Sequence, residues 1–333
     1  MTAVVCRAGF ALVLLAAGLS PARADSVEEW LVRMDHAVAS ISYRGTLVSV
    51  GNNRIDTLRV LHRVDERGVR ERIYALDGPQ REVLRDHDRV RCLISGQSSV
   101  VVDNPFPTRI LPRIPLDEIL GEDSVYAVGK VGSGRVAARE AVIIEIAPRD
   151  AYRYGRRLWL DKGTGMLLRS VLYDEAGDVV EQLSFVEIEL GASIADHELA
   201  SDLDNPEQVA RYRETDGVLP PDVAASRAPS WLPESLPAGF RLATVGRGKA
   251  RDGGGMYEHL LFSDGLSSFS VYIEPAGSAA IAEQLESRGA THIYTGSIEG
   301  RMVTVVGEVP APTVRLIGRH MHRQEHPVLR YLE

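Results

Sequence analysis

The chain is nearly free of cysteine. It has two, Cys6 and Cys92, and Cys6 lies in an N-terminal segment that we expect to be removed. A single remaining thiol cannot form an intramolecular disulfide, which excludes a small disulfide-bonded scaffold. Cys92 stands in the β-rich stretch 90–94 and is predicted to be a half-buried strand residue rather than a redox centre.

Apolar runs long enough to cross a membrane are also missing. The run from Ala8 to Leu19 has 12 residues, whereas a transmembrane helix needs about 20. Arg7 precedes this run and Ala22-Arg23-Ala24 follows it, a pattern typical of a secretory signal peptide. We therefore expect cleavage near Ala24, which removes residues 1–24 and leaves an exported, soluble mature chain.

Basic charge is scarce as well. The signal peptide carries Arg7 and Arg23, and its removal leaves 36 basic and 46 acidic residues, a net charge of −10. Nonspecific binding of nucleic acid requires a basic surface, so we predict no nucleic-acid partner. An acidic surface is compatible with a basic protein partner and disfavours adsorption to an anionic membrane.

Sequence motifs of common enzyme classes are absent. The chain has no G-x-S-x-G, no H-E-x-x-H and no P-loop. Gly132-Ser-Gly134-Arg-Val-Ala137 matches the dinucleotide pattern G-x-G-x-x-A, but a strand pattern follows where that site needs a helix, so we predict a β-turn there. His320, His322 and His326 lack carboxylates at a spacing that would complete a metal site. We predict no catalysis, no cofactor and no metal.

The first half of the mature chain combines one helix with many strands. Ser26 and Glu29 have the spacing of a capping box, and apolar residues follow at helical spacing from Val27 to Ile41. Strand patterns lie at 43–50, 58–64, 69–76, 81–84, 90–94, 99–102, 136–147, 152–161, 166–174 and 179–190, with a short helix at 116–120. This order predicts an α+β domain at 25–205, a strongly curved antiparallel sheet or open barrel around the helix.

A second, smaller α+β domain is predicted at 230–322. The 309 mature residues exceed what one hydrophobic core usually holds. Residues 206–229, which include Pro220-Pro221, are predicted to form a linker between two domains. Strands are predicted at 240–245, 256–262, 269–273, 292–298 and 302–307, helices at 279–287 and 312–322, and a tail at 323–333. Phe269, Val271 and Ile273 alternate onto one face and are predicted to be core.

An open curved sheet can enclose an apolar cavity large enough for acyl chains. Candidates to line such a cavity are Leu47, Leu58, Val60, Ile73 and Leu84. The same residues would equally form a packed core. The pattern alone does not separate a filled interior from an empty one.

Several segments, in one order along the chain, resemble the RseB/MucB family of periplasmic stress regulators. They are Trp30-Leu-Val-Arg-Met34, Tyr43, Asp77-Gly-Pro-Gln-Arg-Glu-Val83, Leu158-Trp-Leu-Asp-Lys-Gly-Thr-Gly-Met-Leu-Leu-Arg169, Glu181-Gln182, Trp231-Leu-Pro233, Pro237-Ala-Gly-Phe240, Ser263-Asp-Gly-Leu-Ser-Ser-Phe-Ser-Val-Tyr-Ile-Glu274 and Val306-Gly-Glu-Val-Pro310. The Trp-Leu-Asp hairpin is shared with periplasmic lipoprotein carriers, whereas the segments beyond the linker are specific to the regulators.

The resemblance implies a LolA/LolB-like unclosed barrel with a helix packed inside, followed by the smaller domain. It implies a periplasmic protein that binds the periplasmic segment of a single-pass anti-sigma factor, RseA or MucA, and shields it from regulated proteolysis. A lipid signal such as lipopolysaccharide, through its acyl chains, is implied to release the partner. Self-association into a homo-oligomer is left open.

Contacts with the anti-sigma factor are predicted just past the linker and at the Ser263-Asp-Gly turn. Trp231 and Phe240 are candidates because aromatic residues dominate binding hot spots, and Leu232 is included beside Trp231. The same residues could be domain core. Asp264 and Gly265 are candidates because they form the turn. The rival hypothesis is a periplasmic lipid or lipoprotein carrier, which would need only residues 25–205.

Overall fold

The computed structural model describes residues 25–87, 89–94, 110–112, 114–201, 228–249, 255–276 and 282–324. The predicted signal peptide, the strand at 99–102, the linker up to residue 227 and positions 325–333 of the predicted tail lie outside these residues. Among the described helices, none combines the length and the apolar character that crossing a bilayer would require.

Helix α1 (Val27–Ser40) begins at the predicted capping box. The Ser26 hydroxyl accepts the Glu29 N–H at 3.1 Å, and the Glu29 carboxylate accepts the Ser26 N–H at 2.6 Å, so two N–H groups that lack a helical partner are satisfied. Trp30, Leu31 and Met34 are buried on one face of the helix. This face packs against the inner surface of the first sheet.

Ten antiparallel strands form the first sheet, in the order β5-β4-β3-β2-β1-β10-β9-β8-β7-β6. They are β1 (Tyr43–Gly51), β2 (Arg54–Asp65), β3 (Gly68–Ala75), β4 (Arg81–Asp86), β5 (Arg89–Ile94), β6 (Tyr126–Val136), β7 (Arg139–Pro148), β8 (Gly155–Asp161), β9 (Leu167–Tyr173) and β10 (Val179–Leu190). The short helix α2 (Leu116–Leu120) lies between β5 and β6, and a 3-10 helix (Asp196–Leu199) follows β10. Within the described ranges β5 and β6 pair with no further strand, so the barrel is unclosed, as predicted.

Strand β6 was not predicted, and the β-turn prediction at Gly132-Ser-Gly134 is wrong. Both glycines lie inside β6, and the turn follows at Ala137 and Ala138, which have φ of 47° and 62°. A Cβ added to Gly134 would lie 3.3 Å from Nε1 of Trp159. The side chain on β8 therefore covers this glycine, which explains how a glycine-rich stretch with weak strand propensity is kept in the sheet.

The second domain is a six-stranded antiparallel sheet covered by one helix. Its strand order is β12-β13-β14-β17-β16-β15, and a separate ribbon joins β11 and β18. The bounds are β11 (Trp231–Pro233), β12 (Arg241–Lys249), β13 (Met256–Ser263), β14 (Ser268–Pro275), β15 (Gln284–Arg288), β16 (Thr291–Ile298), β17 (Arg301–Gly307), α3 (Ala311–Arg319) and β18 (Met321–Arg323). Phe269, Val271 and Ile273 are buried in its core, as predicted.

The helix predicted at 279–287 is wrong in its described part. Residues Gln284–Arg288 form β15, an edge strand that pairs with β16, and all five are exposed. With Leu285 as its one apolar residue, this stretch has no apolar stripe to hold a helix against the domain. Backbone pairing with β16 therefore overrides its local helix propensity.

The last helix is shorter than predicted and a strand follows it. Helix α3 ends at Arg319, and Met321–Arg323 then pairs with Trp231–Pro233. The Gln324 N–H donates to the Ser230 carbonyl at 2.8 Å. The second domain thus continues at least to residue 324, two residues past the boundary predicted at 322.

Asp161 closes the Trp-Leu-Asp hairpin and supplies a first prediction. Its carboxylate accepts Nε and Nη2 of Arg139 at 2.7 and 3.2 Å, and the N–H and hydroxyl of Thr164 at 2.9 and 2.8 Å. Partial burial raises the pKa of Asp161, but these hydrogen bonds outweigh it and hold the pKa below its usual range. We expect Asp161→Asn to lower the free energy of unfolding at pH 7 by about 1–3 kcal/mol.

The pH dependence follows from the sign of that shift. A carboxyl whose pKa is lowered by folding stabilises the fold above its unfolded pKa of about 3.9 and loses this contribution as the pH falls through the folded pKa. Urea unfolding between pH 7 and 3 should therefore show the difference between wild type and D161N shrinking below about pH 4. Asp178→Asn in an exposed hairpin is the control, and a difference that stays constant with pH would contradict the assignment.

Candidate functional site at the domain junction

A buried ion pair connects the two domains. Arg153 lies in the loop between β7 and β8, and Asp264 lies in the turn between β13 and β14. Nη1 of Arg153 is 2.6 Å from Oδ2 of Asp264, and the two side chains are 0% and 1% exposed. We call Arg153 and Asp264 the junction pair.

Asp264 has partners for both carboxylate oxygens. Oδ2 also accepts the Tyr126 hydroxyl at 2.8 Å, and Oδ1 accepts the N–H groups of Leu266 and Ser267 at 2.9 and 2.6 Å. Burial, followed by the charge of Asp264, raises the pKa of Tyr126 well above its usual range, so Tyr126 remains a hydrogen-bond donor. The turn and the domain contact therefore depend on one carboxylate.

Arg153 is satisfied in the same way. Its Nε contacts Oδ1 of Asp150 at 3.1 Å, and its Nη2 donates to the Ala238 carbonyl at 2.5 Å. The guanidinium also lies over the ring of Phe240, 4.7 Å from its centroid. A buried cation is tolerated only when its donors are paired, and here the partners come from both domains. Separation of the domains would leave Arg153 with Asp150 alone, and Asp264 would keep the Leu266 and Ser267 N–H groups but lose its cation.

A second set of contacts extends the junction away from this pair. The Thr313 hydroxyl donates to the Tyr152 carbonyl at 2.7 Å, and the Tyr154 hydroxyl lies 3.3 Å from Nδ1 of His292. The Ala290 N–H donates to Glu181 at 3.3 Å. Each contact joins a residue of the first domain to one of the second, and Ala290 also packs against Leu172, so the junction combines polar and apolar contacts.

The structure places the predicted partner-binding residues in two groups. Trp231, Leu232 and Phe240 are buried in the second-domain core, which agrees with the alternative of core residues. Asp264 belongs to the junction pair, and Gly265 (φ 92°) lies against α2, where an added Cβ would come 3.0 Å from Pro115. Direct contact of these residues with another protein remains a prediction.

A cleft of about 390 Å³ lies between the first sheet and the segment that follows β17. Of the predicted cavity residues, Leu58 lines it. Leu47, Val60 and Ile73 are 0%, 0% and 7% exposed, and they belong to the core that α1 completes. The prediction for Leu84 is wrong. Its register partner Arg72 pairs in turn with Leu61, so Leu84, although 4% exposed, lies on the opposite face of the sheet.

Sequence reasoning missed the charged residues of this cleft, Arg156, Glu181 and Glu308. Arg156 shares a face of β8 with Leu158 and Leu160, both of which are fully buried. A charged residue at an inward-facing position of a strand is unusual. The charged residue at position 156, where the alternation of β8 calls for an apolar one, is the sequence feature that could have indicated this cleft.

Comparisons with known proteins agree with the resemblance. Residues 26–203 match the MucB/RseB N-terminal domain, and residues 225–322 match the MucB/RseB C-terminal domain. The sigma factor AlgU regulatory protein MucB of Pseudomonas aeruginosa is 33% identical over 301 residues, covering 89% of this chain and 90% of that protein.

Solved structures match over the same length. The P. aeruginosa MucA/MucB complex contains a chain with 30% identity and a TM-score of 0.73, covering 90% of this chain and 99% of that one. A crystal structure of MucB has 31% identity and a TM-score of 0.59, covering 90% and 98%. Since both domains match in order and across nearly the whole length, the chain belongs to the MucB/RseB family.

Proposed function

We propose that this protein is a periplasmic negative regulator of an envelope-stress sigma factor. It binds the periplasmic segment of a membrane anti-sigma factor of the MucA or RseA type and shields that segment from regulated proteolysis. A lipid signal such as lipopolysaccharide releases it. The protein acts by binding and carries out no catalytic turnover.

One observation carries the proposal. A relative that matches this chain across both domains, with a TM-score of 0.73, is found in the MucA/MucB complex. The crystal structure of MucB gives a TM-score of 0.59 at nearly the same identity and coverage. A whole-chain score depends on how two domains are placed, so the difference supports a domain arrangement in this chain that resembles the one in the complex.

The domain junction favours a regulator over a carrier. A carrier of the LolA/LolB type would need only the first domain, so its second domain should be dispensable. Here the second domain contributes the Asp264 partner of a fully buried arginine and several further hydrogen bonds. Removal of the second domain would expose these groups or leave them without hydrogen-bond partners, which supports a function that requires both domains.

The test uses the mature full-length chain and the periplasmic segment of P. aeruginosa MucA as the probe. We expect the immobilised segment to retain the chain, and we expect the bound chain to slow digestion of the segment by a nonspecific protease several-fold. D178N serves as a surface control and should behave like the wild type. Absence of both retention and protection would refute the proposal.

A further inference from the structure

The cleft between the domains carries charges that are not paired with one another. Nη1 of Arg156 donates to the Ser170 hydroxyl at 3.2 Å, and its Nε is buried without a hydrogen-bond partner. Within the described part of the chain, Arg156 makes no ion pair. A desolvated guanidinium with an unused donor is costly unless an anion or water reaches it.

Two carboxylates face the same cleft. Glu181 lies on β10 and accepts the Ala290 N–H at 3.3 Å, whereas Glu308 follows β17 at the solvent-reached rim. Among the residues that the structure describes, the Glu308 carboxylate has no hydrogen-bond or ion-pair partner. Although solvent reaches it, desolvation by the surrounding protein raises the pKa of Glu308, and the nearby charge of Arg156 opposes this rise.

Most of the remaining wall of the cleft is apolar, and Ser49 and Gln182 add two polar side chains. Leu58, Leu172 and Leu183 come from three strands of the first sheet and line it together with Ile110 and Pro112. Its volume of about 390 Å³ lies within the range of small-molecule sites. The cleft thus offers a cation, two anions and hydrocarbon, with the opposite charges held apart instead of forming an internal ion pair.

We propose that the cleft binds a zwitterionic amphiphile with a phosphoethanolamine head group. Its phosphate contacts Arg156 and the Ser170 hydroxyl, because a guanidinium is suited to phosphate recognition. Its ammonium group donates to Glu181 and Glu308, and its hydrocarbon chain lies along Leu58, Leu172 and Leu183. This assignment names a ligand class for the lipid signal in the proposed function, and its biological role rests on that proposed function. The ligand would contact both domains, since Glu308 belongs to the second.

Calorimetric titration of the mature full-length chain tests the ligand chemistry. The probes are dihexanoyl phosphatidylethanolamine, dihexanoyl phosphatidylglycerol, which lacks the ammonium group, and free phosphoethanolamine, which lacks the chains. We expect the ethanolamine lipid to bind about tenfold or more tightly than either of the others, the difference that one charge-assisted contact supplies. Equal affinity for both lipids, or no binding of the ethanolamine lipid, would overturn the proposal, and tighter binding of the free head group would overturn the role of the apolar wall.

Two variants test the residues. Arg156→Met should weaken binding of the ethanolamine lipid about tenfold or more. It should not lower the melting temperature, because it removes a partly buried charge that lacks an ion-pair partner within the described residues. The double variant E181Q/E308Q retains an acceptor for Ala290 and should remove the preference for ethanolamine over glycerol. Arg157→Met is the matched control, because Arg157 lies on the other face of β8 and pairs with Glu145 at 2.7 Å. Unchanged lipid affinity in R156M would overturn the proposal.

The outcome is separable from that of the proposed function. MucA binding is measured without lipid, so a chain that binds MucA and no ethanolamine lipid refutes the ligand assignment alone. A chain that binds the lipid and not MucA supports the assignment and refutes the regulator.

Discussion

Replacement of Arg153 by methionine is expected to lower the free energy of unfolding by about 3–5 kcal/mol, the usual cost of removing one member of a buried ion pair. The loss is large because Asp264, 1% exposed, would stay buried without its cation. The Ala238 carbonyl would lose a donor as well. We also expect the domains to separate, which small-angle X-ray scattering would register as an increased radius of gyration, with urea unfolding giving the stability.

Two further variants make this prediction specific. Arg157→Met removes a half-exposed ion pair with Glu145 and should cost at most about 1 kcal/mol. The double variant R153M/D264N keeps an oxygen for the Leu266 and Ser267 N–H groups while removing the uncompensated charge. It should be more stable than R153M alone. A cost for R153M no larger than that for R157M would show that the junction pair does not hold the domains together.

Replacement of Phe240 by alanine is the second change with a large expected effect. Phe240 is 5% exposed, and its ring centroid is 5.1 Å from that of Phe269. Truncation leaves a cavity in the second-domain core and removes the ring beneath the Arg153 guanidinium. We expect a loss of about 3–5 kcal/mol, measured by urea unfolding, while Phe240→Leu should lose less because it keeps most of the volume.

This variant also separates two roles for Phe240. A core residue loses stability on truncation, and its effect on partner binding should follow the fraction of unfolded protein. A hot-spot anchor would weaken MucA binding with the melting temperature unchanged. The second result would contradict the assignment of Phe240 to the core.

Much of the fold was predictable because its signals are local. The capping box at Ser26 and Glu29 fixes the start of α1, and the alternation of Phe269, Val271 and Ile273 identifies the buried face of β14. The secondary-structure prediction was wrong where the local sequence preference differs from what the tertiary contacts stabilise. Strand β6 is held by pairing with β7 and covered by Trp159, and β15 is held by pairing with β16; neither cause is visible within the segment itself.

The site was predictable only in part. The turn at Asp264 and Gly265 was predicted, but its partner Arg153 lies 111 residues away in the chain, and no local pattern links the two. Among the cavity candidates, Leu58 borders the cleft and Leu47, Val60 and Ile73 belong to the core around α1. Leu84 lies on the opposite face of the sheet. Hydrophobic alternation identifies inward-facing residues, whereas the position of the helix decides which of them meet empty space.

The most direct test of the proposed regulator is calorimetric titration of the P. aeruginosa MucA periplasmic segment into the wild-type mature chain and into R153M. We predict saturable binding by the wild type and affinity at least about tenfold lower for R153M. A partner that requires the joined domains binds less tightly when that arrangement is less populated. Absence of binding by the wild type would contradict the regulator, and equal affinity of the two proteins would contradict a binding state that depends on the junction pair.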